Sequence, residues 1–275
     1  MAISFNPNEM LIEADSLNKI INNKDVKILD SRWYLNDKRK GLNEFKKNHI
    51  PNSIFFDLEK FSDQKSDFPH MLPSTKQFQL KISELGIKNR DKIIIYDQEG
   101  FFSSTRIWLM FKIFGHKKVL VLNGGYLNWK KKFKTEKHIK SYLKTTYKVF
   151  KKNKMIFSKK EVKNILGNIE FQVIDARPKK RFDGIEAEPR TNVIRGNIEG
   201  SINIPFNSVN QSGKILSNNK LKEILYKNKE LRKKNIIVLC GSGVTACNII
   251  FALHKIQHQR SIFLYDGSWS EWGLK

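Results

Sequence analysis

The residue with the clearest chemical potential in this sequence is Cys240, one of two cysteines in a chain of 275 residues. It follows an apolar run at 235–239, and Gly241-Ser242-Gly243-Val244-Thr245 leads from it into a stretch with helical periodicity at 246–255. A loop at a helix N-terminus directs backbone N–H groups and the positive end of the helix dipole towards its centre, which stabilises an anion. The loop therefore predicts a cysteine held as a nucleophilic thiolate.

Two other roles of cysteine, inert packing and phosphatase catalysis, fit Cys240 less well. Free cysteines are frequently buried and inert, but a cysteine that ends a strand and opens a Gly-Ser-Gly loop is not typical of a packing position. For Cys247, on the following helix, a structural role is favoured. Cysteine phosphatases share the loop before a helix, but they need an arginine six residues after the nucleophile, where this chain has Ala246. Two cysteines on one segment predict no disulfide framework and favour a reducing, cytoplasmic setting.

The elements around this loop recur in the first half of the chain at an interval of about 145 residues. Residues 27–32 are repeated by 172–177, and the apolar run 92–96, before Asp97, matches 235–239. Apolar runs that are followed by a polar loop and an amphipathic stretch are typical of buried parallel strands that lead into helices. We therefore predict an α/β protein with two domains, each a mainly parallel sheet flanked by helices.

The predicted boundary is a lysine-rich segment between the repeats. Eleven lysines and one acidic residue, Glu136, occur within residues 130–154, a pattern typical of a solvated linker. Ser158 and Glu161 then have the spacing of a capping box, which predicts the start of a helix. The predicted parts are a first domain, a linker and a second domain, at residues 1–137, 138–155 and 156–275.

The charge balance is strongly basic, with 51 Lys and Arg against 27 Asp and Glu, for a net charge of +24. Taken alone, this charge would favour nucleic acid or an anionic membrane surface as a partner. The lysines are spread over the whole chain beside many Asn and Ile residues, so we expect neither. No run approaches the roughly 18 apolar residues of a membrane span, and residues 1–7 lack the pattern of an export signal. A cytoplasmic protein is expected.

The duplicated halves, the loop Cys-Gly-Ser-Gly-Val-Thr-Ala at 240–246 and Tyr-Asp-Gly-Ser-Trp at 265–269 resemble the tandem rhodanese family over essentially the whole chain. The resemblance implies two rhodanese-like domains and sulfurtransferase activity through a persulfide on Cys240. Rhodaneses that use thiosulfate usually carry Arg and Lys after the cysteine, where this chain has neutral Gly241 and Ser242. Cations there suit thiosulfate, a dianion with its charge beside the transferred sulfur. The neutral loop is similar to that of family members that use 3-mercaptopyruvate.

The resemblance also implies a set of substrate-binding residues. Arg181 and Arg190 resemble two family arginines that bind the carboxylate and ketone oxygens of the donor, since a planar guanidinium matches a carboxylate. Without the motif, both would be interpreted as surface charges. Arg177 is expected to be structural, pairing with Asp175 or a loop carbonyl. The loop residues implied in substrate binding are Gly241, Gly243, Val244 and Thr245.

The first half has Asp97 at the position of Cys240, so it cannot perform the same chemistry. Its segment Pro-His-Met-Leu-Pro at 69–73 matches a family motif whose histidine joins the loop serine and an acid. The resemblance therefore implies a catalytic trio of Ser242, His70 and Glu59 beside Cys240. The family usually has Asp at the position of Glu59, and outside the family His70 would be interpreted as an ordinary surface or capping histidine.

The reaction implied is sulfur transfer from 3-mercaptopyruvate, a small-molecule donor, through the Cys240 persulfide to a thiol or cyanide, with release of pyruvate. The acceptor is expected to be a thiol such as thioredoxin or glutathione, and neither a metal nor a cofactor is expected. Two alternatives stay open. One is a thiosulfate sulfurtransferase with the same nucleophile, and the other is a sulfur-relay protein with weak turnover of its own.

Overall fold

The computed structural model describes residues 5–37, 39–150 and 154–275. Its first half contains a five-stranded sheet in the order β1-β5-β4-β2-β3, and all neighbouring strands are parallel. The residues Ile93, Ile94 and Ile95 of the central strand are fully buried, as expected of a strand with a neighbour on each side in a parallel sheet whose faces are covered by helices. The strands are β1 Leu11–Ile12, β2 Val26–Asp30, β3 Ser53–Phe55, β4 Lys92–Tyr96 and β5 Val119–Leu122.

Within the described part of the first half, five α-helices connect these strands and a sixth follows the last strand. The start of α4 is fixed by a capping box in which Ser74 and Gln77 satisfy each other's backbone N–H groups. The helices are α1 Ala14–Ile20, α2 Lys40–Lys47, α3 Leu58–Phe61, α4 Thr75–Glu84, α5 Ser104–Ile113 and α6 Gly125–Trp129.

The second half repeats the same sheet, with the order β6-β12-β11-β7-β8 and parallel pairing throughout. Its strands are β6 Ile156–Phe157, β7 Phe171–Asp175, β8 Ile202–Asn203, β11 Asn235–Leu239 and β12 Ile262–Tyr265, with a small antiparallel pair β9 Asn210–Gln211 and β10 Lys214–Ile215. Its helices are α7 Lys159–Ile165, α8 Lys179–Phe182, α9 Asn218–Leu225, α10 Ala246–Lys255 and α11 Ser268–Trp272. The predicted α/β fold with two parallel sheets and the predicted Ser158–Glu161 capping box are confirmed.

The two domains pack through α5 and α10, the helices that follow the two equivalent loops. Every residue of α5 is buried, and the ring of Trp108 on α5 meets that of Phe251 on α10 edge-on at 4.9 Å between centroids. At the starts of the same helices, the Thr105 hydroxyl donates to the side chain of Asn248, which in turn donates to the Phe101 carbonyl. This packing fixes the first domain against the loop that carries Cys240.

The segment expected to be a solvated linker is packed against the first domain where it is described. The Tyr147 N–H donates to Ser83 Oγ (2.9 Å), the Val149 N–H donates to the side chain of Gln79 (2.7 Å), and the Tyr147 side chain is buried. The described lysines of this segment are exposed, as expected of a linker, whereas the side chain of Tyr147 is buried and that of Val149 is partly buried against the first domain. Residues 151–153 of the predicted linker and residues 1–4 lie outside the described residues.

No helix in residues 5–37, 39–150 or 154–275 has both the length and the apolar character needed to cross a bilayer.

Candidate active site

Cys240 directly follows β11 and is almost completely buried, with 2% of its surface exposed. Its own N–H donates to Ser268 Oγ at 3.2 Å, and its carbonyl accepts from the Trp269 N–H at 2.9 Å. The next carbonyl, of Gly241, accepts from the Ser270 N–H at 2.9 Å. The first turn of α11 therefore holds the backbone of Cys240 and Gly241 and fixes where the cysteine side chain begins.

The backbone of the loop after Cys240 is left with unused donors. None of the N–H groups from Gly241 to Thr245 donates to a protein acceptor among the described residues. These groups precede α10, whose N-terminus adds the positive end of its dipole. The loop is therefore suited to an anion on the cysteine sulfur or on a group bound to it.

Arg106, from α5 of the first domain, supports the loop from beneath and is fully buried. Its guanidinium pairs with Asp266 at 2.8 Å and donates to the carbonyls of Gly243 at 3.3 Å and His70 at 2.5 Å. Gly243 has φ of +74°, and a Cβ there would lie 2.8 Å from the Asp266 carbonyl, so this tight turn requires glycine. The other oxygen of Asp266 accepts from the Leu72 N–H at 2.7 Å. This ion pair thus joins the His70 segment to the Cys240 loop.

The trio implied by the resemblance is brought together by the structure. His70 Nδ1 lies 2.8 Å from Ser242 Oγ, and His70 Nε2 lies 3.1 Å from Glu59 Oε1. The same Glu59 oxygen accepts from the Trp33 indole N–H at 2.8 Å. Since a carboxylate only accepts, Nε2 carries the proton and Nδ1 is left to accept from the Ser242 hydroxyl. The longer side chain of Glu59 therefore still reaches the histidine.

His70 itself is held in an uncommon conformation. Its φ is +61°, in the left-handed region that residues with a Cβ rarely adopt, and the bond from Arg106 to its carbonyl holds it there. Burial lowers the pKa of His70, the hydrogen bond and charge of Glu59 act in the opposite direction, and the charges of Arg190 and Arg106 lower it further. The imidazole is therefore neutral at pH 7.

A cavity of about 170 Å³ opens in front of Cys240. Its wall carries the predicted loop residues Gly241, Ser242, Val244 and Thr245 together with both predicted arginines, Arg181 and Arg190, and the rings of Trp33, Phe102 and Phe206. Predicted Gly243 does not line the cavity but forms the turn beneath it.

The two cavity arginines are held differently. Arg181 is paired with Glu188, and a Cβ on Gly241 would lie 3.1 Å from Arg181 Nη2, so the missing side chain at 241 gives the guanidinium access to the loop. Burial lowers the pKa of Arg190, while the nearby Cys240 acts to raise it. Within the described residues Arg190 has no carboxylate ion pair, which leaves it available to a bound anion.

The predicted structural role of Arg177 is confirmed by its contacts. It forms a fully buried ion pair with Asp175, donates to the Gly196 carbonyl at 2.7 Å and lies 4.1 Å from the centroid of a ring of Trp269. It also meets Glu188 at 2.7 Å, the carboxylate that holds Arg181. Arg177 therefore fixes the position of Glu188, and through it the position of Arg181.

Cys247 is fully buried on α10, and its S–H donates to the Gly243 carbonyl at 3.2 Å. Burial raises the pKa of its thiol to about 12, so it stays protonated at neutral pH. This position agrees with the structural role favoured from the sequence.

Several supporting residues were not found by sequence reasoning. Trp33, Arg106, Asp266 and Glu188 reach the site from four separate segments, and their partners lie up to 194 positions away along the chain, as for Asp266 and Leu72. Glu188 is part of the segment that carries Arg190, and that proximity was an available signal. No group of three or more His, Cys, Asp and Glu side chains in the described ranges is arranged to hold a metal ion.

The fold and the site together define a two-domain enzyme with one cysteine at the head of an anion-binding loop. The family model of the rhodanese-like domain matches the chain twice, at residues 13–132 and 158–275. The chain therefore belongs to the rhodanese family, as a tandem-domain sulfurtransferase. The predicted domain bounds, 1–137 and 156–275, stay predictions.

Its relatives carry the names of particular enzymes. The chain is 36% identical to thiosulfate/3-mercaptopyruvate sulfurtransferase 1, mitochondrial, of Arabidopsis thaliana, over 99% of this chain and 78% of that protein. It is 33% identical to 3-mercaptopyruvate sulfurtransferase of Escherichia coli, over 96% of this chain and 95% of that protein. The crystal structure of SseA from Escherichia coli, described as a 3-mercaptopyruvate sulfotransferase, superimposes with a TM-score of 0.85 and 32% identity, covering 94% and 98% of the two chains.

Proposed function

We propose that this enzyme takes sulfur from 3-mercaptopyruvate, holds it as a persulfide on Cys240 and passes it to a thiol or cyanide, releasing pyruvate. The observation that carries the proposal is the position of the positive charges. Arg181 and Arg190 line the same cavity as Cys240, while the residues next to the cysteine, Gly241 and Ser242, are neutral. The donor's carboxylate is separated from its sulfur by the carbon chain, so the counter-charge for this donor belongs at the cavity wall and not beside the cysteine.

Donor binding follows from the two guanidinium groups. Arg190, which is half-buried and has no carboxylate partner among the described residues, takes the carboxylate, since removing a cation from water without a counter-ion is costly. Arg181, held by Glu188, lies over Gly241 and takes the ketone oxygen. With these contacts, the sulfur of the donor points towards Cys240.

In the first half-reaction, the Cys240 thiolate attacks the donor's sulfur, and the electrons of the carbon–sulfur bond leave on the pyruvate enolate. The proton that was on the donor's sulfur passes through the Ser242 hydroxyl to neutral His70 and returns to the enolate carbon as general acid catalysis requires. Glu59 positions His70 and stabilises its charged form. The free N–H groups of the loop stabilise the persulfide anion that remains.

In the second half-reaction, an acceptor thiolate attacks the outer sulfur of the persulfide and restores the Cys240 thiolate. The cycle is therefore double displacement, and ping-pong kinetics are expected. The acceptor thiols we propose are thioredoxin or glutathione, in the reducing environment of the cytoplasm.

The proposal is tested by steady-state turnover of the purified protein with 3-mercaptopyruvate and, separately, with thiosulfate, each with cyanide as the acceptor. The expected result is a strong preference for 3-mercaptopyruvate, with pyruvate released and activity lost in Cys240→Ser. A preference for thiosulfate would keep the nucleophile and overturn the assigned roles of Arg181 and Arg190.

A matched variant tests the neutral loop directly. Gly241→Arg combined with Ser242→Lys places cations beside the sulfur, and we expect the ratio of thiosulfate to 3-mercaptopyruvate turnover to rise. Because this change also removes the Ser242 hydroxyl, Ser242→Ala is the control. An unchanged ratio in the double variant would contradict the charge argument.

A further inference from the structure

A second cavity, of about 180 Å³, adjoins the one in front of Cys240 and has no role in the reaction described above. The two cavities share Trp33 and Phe102 in their walls. These rings are stacked with 5.9 Å between centroids and an interplanar angle of 21°. The second cavity therefore begins where the aromatic wall of the first one ends, on the side of the first domain.

The lining of the second cavity favours a cation. Besides the two shared rings it includes Tyr34 and the side chains of Gln98 and Glu99. Glu99 is exposed and has no ion pair within the described chain. Aromatic faces beside a carboxylate are the environment in which proteins bind ammonium groups, and the ammonium of Lys40 already lies 4.3 Å from the centroid of the Tyr34 ring.

The polar residues Asp97 and Gln98 of this cavity fit the same interpretation. The Asp97 carboxylate already accepts hydrogen bonds from backbone N–H groups, so it does not need a ligand as a further partner. The amide oxygen of Gln98 is buried without a donor among the described residues. This oxygen and the Glu99 carboxylate are both hydrogen-bond acceptors, the kind of group that an ammonium ligand requires.

The charges of the two cavities are therefore opposite in sign. Arg181 and Arg190 face the sulfur donor, whereas Glu99 stands at the second cavity. We propose that the second cavity is the acceptor subsite, and that it binds a positively charged group on a peptide thiol while the thiol itself reaches the Cys240 persulfide. This inference rests on the proposed function, because it concerns the acceptor half of the same cycle.

The spacing sets the kind of acceptor. The charged group has to lie beyond the Trp33–Phe102 pair, so it must be carried on an arm that reaches from the thiol past both rings. Neighbouring residues of a peptide have Cα atoms about 3.8 Å apart, and a lysine side chain extends the reach by several further bonds. A cysteine followed by a lysine is therefore a suitable acceptor. The aliphatic part of the lysine side chain would lie along the two rings.

The experiment uses three acceptors with the same thiol: N-acetyl-Cys-Lys-amide, the same peptide with an acetylated lysine, and N-acetyl-Cys-Glu-amide. Wild-type protein, Glu99→Gln and the control Glu223→Gln are compared for acceptor kcat/KM with 3-mercaptopyruvate as the donor. Glu223 is a matched control because it is also exposed and without an ion pair in the described chain, but it lies on α9. Pyruvate release in a single turnover without acceptor reports the donor half alone.

We expect wild-type protein to prefer the lysine peptide, and Glu99→Gln to lower kcat/KM for that peptide by about three- to tenfold, as expected for one ion pair and one cation–π contact. The acetylated and glutamate peptides should change little, and single-turnover pyruvate release should be unaffected. Equal use of the three peptides by wild-type protein, or equal losses in Glu99→Gln, would overturn the acceptor subsite. Absence of pyruvate release in wild-type protein would instead overturn the proposed function.

Discussion

Asp97 and Cys240 occupy equivalent positions, each directly after the central strand of its sheet and before a helix at the domain interface. In the first domain, the Asp97 carboxylate accepts four backbone N–H groups, from Gly100, Phe102, Ser103 and Ser104, at 2.6–3.0 Å. In the second domain, the N–H groups after Cys240 have no protein acceptor among the described residues. One loop therefore contains its own anion, and the other is open to one.

The difference indicates how a duplicated fold acquired a single active site. The strand, loop and helix that bind an anion are present twice, so the scaffold is equally capable in both halves. A carboxylate satisfies the loop of the first domain permanently and makes it structural. A cysteine offers these N–H groups no carboxylate, so the loop of the second domain stays open to an anion, which in the proposed reaction is the sulfur of Cys240 or its persulfide.

The strongest test of this comparison transfers the residue of one loop to the other. In Cys240→Asp, the carboxylate should bind the free N–H groups as Asp97 does. Turnover should fall by more than roughly 10⁴-fold, because the nucleophile is gone, and the unfolding midpoint should be at least that of Cys240→Ser. Thermal unfolding and turnover of the two variants check this, and a clearly lower midpoint for the aspartate variant would contradict the equivalence of the loops.

Removing the internal anion should have the converse effect. Asp97→Ala leaves four N–H groups, three of them buried, without an acceptor. We expect a loss of about 3 kcal/mol in the free energy of unfolding, measured by denaturant unfolding. Asp97→Asn retains an accepting oxygen and should lose clearly less. Persulfide formation per folded molecule should stay within a few-fold of wild type, and losses of the same size in both variants would contradict the hydrogen-bond explanation.

Two arginines line the cavity beside the open loop of the second domain. Arg190→Ala removes the cation proposed to bind the carboxylate, and we expect kcat/KM for 3-mercaptopyruvate to fall about 30-fold, equivalent to about 2 kcal/mol. The loss with thiosulfate should be much smaller. Arg195→Ala is the control, since Arg195 follows in the same segment and does not line the cavity. Equal losses for both donors would remove Arg190 from carboxylate binding.

The smallest expected effect is at the trio. Glu59 raises the pKa of His70 against the lowering by burial, so in Glu59→Gln the pKa of His70 falls further. Because neutral His70 is the proposed working form, the acid limb of the pH–rate profile should move to lower pH, with turnover near pH 7 reduced about three- to tenfold through poorer positioning. Glu59→Asp, the usual family residue, should retain more activity, and an unmoved acid limb would separate Glu59 from His70.

The repeat, the parallel strands and the Cys240 loop were predictable from the sequence because they depend on contiguous patterns. The Asp175–Arg177 pair is another local case, with two residues that meet on the same strand end. The ion pair of Arg106 with Asp266 was not predictable, since it joins different domains and depends on how α5 and α10 pack. The docking of Tyr147 on α4 was hidden by the lysines around it.

The trio of Ser242, His70 and Glu59 could be predicted only through the family resemblance. No local pattern relates Ser242 to His70, which are 172 positions apart in the chain. The second cavity was not predictable at all, because it arises from the stacking of Trp33 on Phe102, residues of two separate loops.

The most direct test of the account is the intact mass of the protein after one equivalent of 3-mercaptopyruvate is added without an acceptor. We predict the addition of a single sulfur atom to wild-type protein, with one equivalent of pyruvate released and the sulfur removed by a subsequent thiol. Cys240→Ser should gain no sulfur and release no pyruvate. Sulfur added to the serine variant, or pyruvate released by wild-type protein without an added sulfur, would contradict the persulfide on Cys240.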